Sequence, residues 1–174
     1  EIRIENTLKS YQEQLVGAEN GWFGYLFTKS GTTSTFLFQF DNQGGVASLA
    51  DINNNTSQVK GAGTYRLKAA QVPSLYFDSY SYLHLLSDPD PNVLEGVVGA
   101  GMSSDLEFSI VAVEPNVITL KGSQNGSRLI LVRAKKSEKA VFEANPLALK
   151  NRWADAKIFK YYYNRLSVGG KEYD

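Results

Sequence analysis

The chain contains no cysteine, and this absence removes three kinds of chemistry at once. Without a thiol it forms no disulfide, no thiolate metal site and no cysteine nucleophile. It has a single histidine, His84, so a zinc site would have to draw most of its ligands from carboxylates, and none is expected. The lack of cysteine does not by itself distinguish the cytosol from the cell envelope.

A net charge is also lacking. Eighteen basic residues balance eighteen acidic ones, so no overall field attracts nucleic acid or an anionic membrane, and neither is an expected partner. No apolar run approaches the roughly 20 residues of a membrane-spanning helix. With 174 residues, 43% of them hydrophobic, the composition indicates a folded domain with one core. The chain begins at Glu1 rather than methionine, so we expect that an upstream segment was removed, and a secretory or lipoprotein leader is one candidate for it.

Hydrophobic periodicity predicts one helix followed by a series of strands. Apolar residues recur at helical spacing over 2–16, and Asn20-Gly21 then supplies a turn. From Trp22 onward the period changes to two, most clearly where Phe36, Phe38 and Phe40 alternate with other residues. The predicted strands are 22–28, 34–41, 45–50, 63–70, 74–84, 105–113, 116–121 and 127–134.

These strands favour an all-β, mainly antiparallel fold. Mostly short polar turns between them indicate an eight-stranded up-and-down barrel, of the lipocalin or calycin kind, with an N-terminal helix. Closing the sheet would remove the exposed edges that an open sheet has to protect. A β-sandwich built from the same strands is the alternative that strand counting leaves open.

The pattern changes after Ala134, which divides the chain into a barrel domain, 1–136, and a partly helical tail, 137–174. Asn145-Pro146 is a helix-start signal, because asparagine caps a helix and proline is tolerated at its first position. We expect a helix over 147–159, an extended segment over 161–168 and a turn at Gly169-Gly170. The tail is interpreted as the possible start of a further module.

The stretch 73–108 is the most informative, since it holds the only histidine and three of the five prolines. If residues 75–84 form one strand, alternate side chains share a face. That face would carry Tyr76, Asp78, Tyr80, Tyr82 and His84. Such a surface is suited to stack on a sugar or peptide and to hydrogen-bond its polar groups. These tyrosines are equally suited to cover the outside of a barrel or to pack beneath the N-terminal helix.

Catalysis is weakly indicated. A hydrolase site would pair His84 with a nucleophile such as Ser103 or Ser104, but no GxSxG elbow surrounds those serines. The carboxylates suited to orient the histidine are Asp78, Asp88 and Asp105. A structural role for His84, as a hydrogen-bonded histidine at a strand end, is favoured. The protein is not expected to be an enzyme.

Two loops within 73–108 invite comparison with ligand-binding loops. Oxygen ligands alternate over 88–92, yet Val93 and Gly99 stand where a calcium-binding EF-hand has its glycine and glutamate. The prolines favour a rigid turn, with a non-standard cation site left open. The glycines over 96–101 precede a strand rather than a helix, so a phosphate loop is not expected. No cofactor or metal is predicted.

Several segments together resemble a known family. They are 19–22, 36–41 with Gly45-Val46, and 65–67, and the most specific runs from 75–84 through 88–91 and 99–101 to Ser104-Asp105. Over about residues 15–135, and most closely over 75–108, the chain is similar to the DUF4302 family of Bacteroidetes putative lipoproteins. The resemblance implies an envelope protein with a lipid-attachment cysteine upstream, encoded beside outer-membrane nutrient-uptake proteins and peptidases. No activity is established for the family, so no catalytic residue carries over.

The sequence and the resemblance together predict a non-catalytic envelope lipoprotein, anchored to the outer membrane, that binds a nutrient-derived oligosaccharide or peptide. The candidate ligand contacts are Trp22, Tyr76, Tyr80, Tyr82 and His84, with Asp88 and Asp90 in the adjoining loop. The alternative is an interaction subunit without a small-molecule pocket, docking on an outer-membrane uptake complex. A concave aromatic site would favour the first function, and a flat one the second.

Overall fold

Eight strands close into one antiparallel barrel in the computed structural model, which describes residues 2–69, 71–94, 101–148, 166–168 and 171–173. The barrel strands are β1 Trp22–Phe27, β2 Thr33–Phe40, β3 Gly45–Ala50, β4 Gly61–Ala69, β5 Pro73–Phe77, β6 Glu107–Val113, β7 Val117–Gly122 and β8 Arg128–Arg133. The helices are α1 Ile2–Val16, α2 Asn54–Gln58, α3 Tyr82–Leu85, α4 Pro91–Leu94 and α5 Lys136–Ala144. A separate two-stranded sheet pairs β9 Leu166–Val168 with β10 Lys171–Tyr173.

The barrel is an up-and-down meander in which each strand pairs with its neighbours in the chain. Closure comes from β1, where Trp22 lies opposite Phe38 of β2 on one side and Arg133 of β8 on the other. The predicted barrel is confirmed, and the sandwich alternative is wrong, because a sandwich would leave strand edges that this sheet does not have.

Aromatic side chains fill the middle of the barrel. Phe36 and Phe38 of β2 stack with ring centroids 5.1 Å apart, and the ring of Phe38 lies 5.5 Å from that of Phe77. The Phe38 ring also packs directly on Gly24, where a Cβ would collide with it. The alternation read from the sequence therefore does place these phenylalanines in one core, and glycine at position 24 makes room for them.

Two helices close the ends of the barrel. At one end, α1 is held by the Trp22 indole N–H, which donates to the Leu15 carbonyl at 2.9 Å, and by the Gln14 side chain, which donates to the Glu114 carbonyl at 2.6 Å. At the other end, α3 buries Leu83 in the core. The cavity between α1 and the aliphatic side chains of the barrel holds about 10 Å³, which is room for about one water molecule.

The outer face of β1–β3 is covered by α5. Phe142 of α5 is buried against Phe23, with the two rings edge to face at 5.5 Å, and against the outward-facing Leu37 and Leu49. None of the helices in the described residues is both long enough and apolar enough to cross a membrane.

The predicted tail is described only in part. Its expected start is confirmed, because the Asn145 side chain accepts the Ala148 N–H at 3.1 Å and Pro146 begins a helical turn. The remainder of the predicted helix over 147–159 lies outside the described residues, as does the segment 161–165. Residues 166–168 are extended as expected, and they pair across the predicted Gly169-Gly170 turn, which itself lies outside the described residues.

Candidate functional site

The connection from β5 to β6 covers the barrel end opposite α1, and we call its first part, residues 78–94, the rim. Asp78 and Ser79 fasten the start of the rim to β4. The Asp78 N–H donates to the Thr64 carbonyl at 3.0 Å, and the Ser79 hydroxyl accepts the Thr64 N–H at 2.8 Å. Further along, the Leu86 carbonyl accepts the N–H of Met102 at 2.9 Å. The rim is thus tied to neighbouring segments on both sides of α3.

The strand predicted over 74–84 is wrong beyond Phe77, because α3 takes its place. Ser81 is extended, with φ of −141°, and the His84 side chain reaches back to it as glutamate or glutamine does in a capping box. Leu83 and Leu86 are then 0% and 2% exposed in the core. A continued strand would have placed these two leucines on opposite faces, so the helix buries more apolar surface.

Because β5 ends at Phe77, the predicted face of alternating aromatic and polar side chains does not form. Tyr76 remains on the outer side of β5, Tyr80 and His84 meet on the rim, and Tyr82 turns back towards β4. The aromatic residues therefore do not form one row. A smaller cluster on the rim takes the place of the predicted row.

That cluster is built around Tyr80, whose side chain is 62% exposed. Its hydroxyl donates to Asp88 Oδ2 at 2.7 Å, and its ring centroid lies 5.5 Å from that of His84 with 32° between the planes. We call these three side chains the Tyr80 platform. The bond to Asp88 raises the pKa of Tyr80 to about 12, so the phenol stays protonated and continues to donate. An exposed ring is thereby held in one orientation.

Asp88 and Asp90 also organise the proline turn. Asp88 Oδ1 accepts the Asp90 N–H at 2.9 Å, and Asp90 Oδ1 accepts the Asn92 N–H at 2.9 Å. The Asp90 N–H and the Tyr80 hydroxyl lower the pKa of Asp88, so its carboxylate stays ionised. These are the local bonds by which aspartate stabilises turns. Within the ranges that the structure describes, no group of three or more histidine, aspartate or glutamate side chains is arranged to hold a metal ion.

His84 is half-buried and uses Nδ1 within the rim. The Ser81 N–H donates to Nδ1 at 3.1 Å, and the Ser81 hydroxyl lies 3.0 Å from the same nitrogen. Burial lowers the pKa of His84, partly opposed by the negative charge of Asp78. The neutral ring therefore carries its proton on Nε2, since Nδ1 accepts.

Tyr76 belongs to a polar ladder on the outside of the barrel. Across β4, β5 and β6 it lies between Arg66 and Glu107, with its hydroxyl 2.9 Å from the glutamate and the Arg66 guanidinium 4.7 Å from its ring centroid. Arg66 also pairs with Asp78 at 2.8 Å. Arg66 was not among the predicted site residues, although its place opposite Tyr76 follows once the register of the two strands is known.

The structure places Trp22 and Tyr82 in supporting positions. Trp22 has no exposed surface, and the Arg133 guanidinium lies 4.8 Å from its ring centroid. Tyr82 is half-buried against Gly61 and donates its hydroxyl to the Val59 carbonyl at 2.7 Å. Neither side chain is part of the Tyr80 platform.

Asp105, one of the carboxylates considered for orienting His84, serves the β7–β8 turn instead. It is 3% exposed and accepts the backbone N–H groups of Gln124, Asn125 and Ser127 at 2.7–3.0 Å. The oxygens of this buried carboxyl group are thus satisfied by three backbone donors, an arrangement that needs no ligand.

The two serines considered as nucleophiles lie against the β7–β8 turn, where their backbone carbonyls accept hydrogen bonds. The Ser103 carbonyl accepts the Ser127 hydroxyl at 3.3 Å, and the Ser104 carbonyl accepts the Asn125 side-chain amide at 2.9 Å. The serine that meets His84 is Ser81, whose own backbone N–H shares the same ring nitrogen. What the rim offers chemically is an oriented aromatic ring beside carboxylate acceptors.

Comparison with known proteins gives one match. A family model described as a domain of unknown function (DUF4302) matches residues 1–174, the whole chain. No curated protein and no solved structure matches the chain. The family description carries no activity, so function has to be argued from the barrel and the rim.

Proposed function

The chain belongs to the DUF4302 family, a domain of unknown function, and we propose that it is a non-catalytic binding module that captures an oligosaccharide on its rim. The observation that carries this proposal is the Tyr80 platform, an exposed ring fixed in place by a histidine and a carboxylate. Ligand binding then takes place outside the barrel.

The packing of the barrel supports an external site. Its middle is occupied by phenylalanine rings, and α1 and α3 close its two ends. The cavity beside α1 holds about 10 Å³, whereas pockets for small ligands measure roughly 300–1,000 Å³. A sugar ring therefore has no room there without displacement of α1.

The chemistry of the platform suits a sugar. The apolar face of a pyranose can stack on the exposed ring of Tyr80, as apolar groups do on aromatic rings. Asp88 accepts the hydroxyl of that ring, Asp90 follows it in the same turn, and both carboxylates can accept hydrogen bonds from sugar hydroxyls. Because the ring is already oriented, binding loses little side-chain entropy.

A peptide ligand is the less favoured occupant. Extended peptides commonly bind by adding a strand to an exposed sheet edge. The eight strands of the barrel form a closed sheet and have no such edge. Peptide binding on the rim would have to rely on side chains alone.

We also propose that the protein works in the cell envelope, held to the outer membrane by a lipid anchor upstream of Glu1. What supports this location is the resemblance of residues 75–108 to family members of that kind. The test is incorporation of labelled palmitate into the full-length protein in its native cell, together with its recovery in the outer-membrane fraction. Recovery of unlabelled protein in the soluble fraction would contradict the anchor.

A second candidate function is that of an interaction subunit, docking on an outer-membrane uptake complex. The filled interior favours it, since a protein interface needs no cavity. A photo-crosslinking residue at position 80 tests this function in outer-membrane preparations. Crosslinks to one uptake protein, lost when the crosslinker is moved to position 111, would support docking.

Tyr80→Ala is expected to abolish most oligosaccharide binding without destabilising the fold, because Tyr80 is 62% exposed and contributes little to the core. A thermal-shift screen against glycans, peptides and divalent cations first identifies a ligand, which at 100 times its dissociation constant stabilises the fold by about 2.7 kcal/mol. Titration calorimetry with the best glycan should then show affinity reduced about tenfold or more.

Two variants serve as controls. Tyr80→Phe keeps the ring and removes the bond to Asp88, so it should retain part of the affinity. Val111→Ala changes an equally exposed residue, 62% in both cases, on β6 and should bind as wild type does. Unchanged affinity in Tyr80→Ala would overturn the rim site. If only peptides stabilise the protein in the thermal-shift screen, the ligand class is peptide and not oligosaccharide.

A further inference from the structure

His84 is the only histidine of the chain, and therefore the only side chain whose ordinary pKa lies between pH 5 and 8. It is also a structural residue, because its Nδ1 accepts the Ser81 N–H at the start of α3. We infer that His84 is a pH-sensitive clasp: the neutral ring holds α3 and the Tyr80 platform together, and the protonated ring releases them.

The neutral ring acts as the second half of a capping box. Ser81 precedes the helix, and the ring of His84, three residues later, supplies the acceptor that glutamate or glutamine usually supplies. The His84 N–H in turn donates to the Ser81 carbonyl at 3.0 Å. A helix of only four residues is not stable by itself, so α3 depends on such contacts and on its buried leucines.

Protonation removes the acceptor. In the imidazolium both ring nitrogens carry hydrogen, so Nδ1 can donate to the Ser81 hydroxyl but can no longer accept the Ser81 N–H. That N–H would then face a donor at 3.1 Å. Either the ring turns away or the first turn of α3 opens, and both movements take the ring of His84 away from that of Tyr80.

The charged groups around His84 influence the pH at which its ring becomes protonated. Asp78, at the end of β5, attracts an imidazolium, but its carboxylate is already paired with Arg66 of β4 at 2.8 Å. On the rim itself, Asp88 is engaged by the Tyr80 hydroxyl at 2.7 Å. Both anionic neighbours therefore have a partner before any proton arrives.

Burial outweighs the attraction of Asp78 and lowers the pKa of His84 from its ordinary value of 6.5. A group with a lowered folded pKa stabilises the fold fully above its unfolded pKa, and that stability is lost as the pH falls through the folded value. Release is therefore expected below pH 6.5, in mildly acidic surroundings.

The clasp gives the rim a regulator, a step that rests on the proposed function. If the Tyr80 platform binds an oligosaccharide, acidification should weaken that binding, because it dismantles the support of the ring. Affinity for the glycan identified in the screen should fall in wild type between pH 7.5 and 5, and should fall less in His84→Gln.

Hydrogen–deuterium exchange of wild type and His84→Gln, from pH 7.5 to 4.5, tests the clasp without any ligand. Glutamine at this position can accept the Ser81 N–H but does not titrate. Comparing the proteins at the same pH also cancels the intrinsic pH dependence of exchange. We expect equal protection at pH 7.5 and about tenfold faster exchange of residues 79–87 in wild type at the acidic end, as loss of one partly buried hydrogen bond implies.

Two further readouts complete the test. Peptides from β1 and β8 should show no difference between the proteins at any pH, and His84→Ala should exchange rapidly over 79–87 even at pH 7.5. Equal exchange of wild type and His84→Gln throughout the series would overturn the clasp and leave the oligosaccharide proposal intact. Unchanged glycan binding by Tyr80→Ala would overturn the oligosaccharide proposal and leave the clasp intact.

Discussion

Asp105→Ala is expected to lower the free energy of unfolding by about 3–5 kcal/mol, because it leaves three backbone N–H groups without their acceptor at a buried position. The carboxylate bonds with Gln124, Asn125 and Ser127 at 2.7–3.0 Å, and it lies directly against Gly122. Urea denaturation followed by circular dichroism measures the loss.

Asp41→Ala is the matched control. Asp41 organises the β2–β3 turn in the same manner, accepting the N–H groups of Gln43 and Gly45 at 2.8 Å, but it is exposed. Water can replace its carboxylate, so its loss should cost only about 1 kcal/mol. If Asp105→Ala destabilises the protein no more than Asp41→Ala, burial is not what makes the Asp105 contacts strong.

Asp105 also shows which kind of contact the sequence could not reveal. A carboxylate in a loop, beside serines and glycines, was a reasonable candidate for orienting His84. Its partners lie 19 to 22 residues further along the chain. They meet it only because β6 and β7 are paired in a register that periodicity does not specify. Arg66 and Asp78 form an ion pair across two strands for the same reason.

The barrel itself was predictable because its signal is local and repeated. In β2 the inward Phe36, Phe38 and Phe40 alternate with outward residues, so the strand and the direction of its side chains follow from a period of two. Edge avoidance then favours closure over an open sheet. The prediction failed after Phe77, where the alternation continues in the sequence. There the Ser81–His84 cap and two leucines at helical spacing overrode it.

The sequence also carried an unused signal for α5. The segment Trp22–Phe27 is apolar on both faces, although only one face of a barrel strand points inward. The outward Phe23 is 6% exposed because Phe142 of α5 covers it. Apolar residues on both faces of a barrel strand therefore predict a covering element, and the tail was the segment that could supply it.

The rim cluster was found in part because its members are close in sequence. Tyr80 and His84 were predicted on one face of a strand, in which alternate residues share a face, and Asp88 was predicted in the adjoining loop. The three side chains do meet, but because the helical turn α3 interrupts the strand: Tyr80 lies just before it, His84 within it and Asp88 after it. Tyr76 belongs to β5, before that turn, and lies apart from them.

Trp22→Ala is the second large effect, with an expected loss of about 3–5 kcal/mol, as for other fully buried aromatic residues. The side chain has no exposed surface, and its indole N–H donates to the Leu15 carbonyl at 2.9 Å. The Arg133 guanidinium that lies over its ring also donates to the Gly17 carbonyl at 3.2 Å. Trp22 therefore fastens α1 to the barrel, and removing it opens a cavity where the helix ends.

Trp22→Phe separates the hydrogen bond from the packing. It keeps an aromatic ring and leaves the Leu15 carbonyl without its donor, so about 1–2 kcal/mol should be lost. Chemical denaturation of both variants gives these values, and hydrogen exchange of residues 8–16 should show whether α1 loosens first. Both effects are predicted at the barrel end opposite the rim. Glycan affinity should therefore survive in Trp22→Phe but not in Tyr80→Ala, and a loss in both would mean that the two ends of the barrel are coupled through its aromatic core.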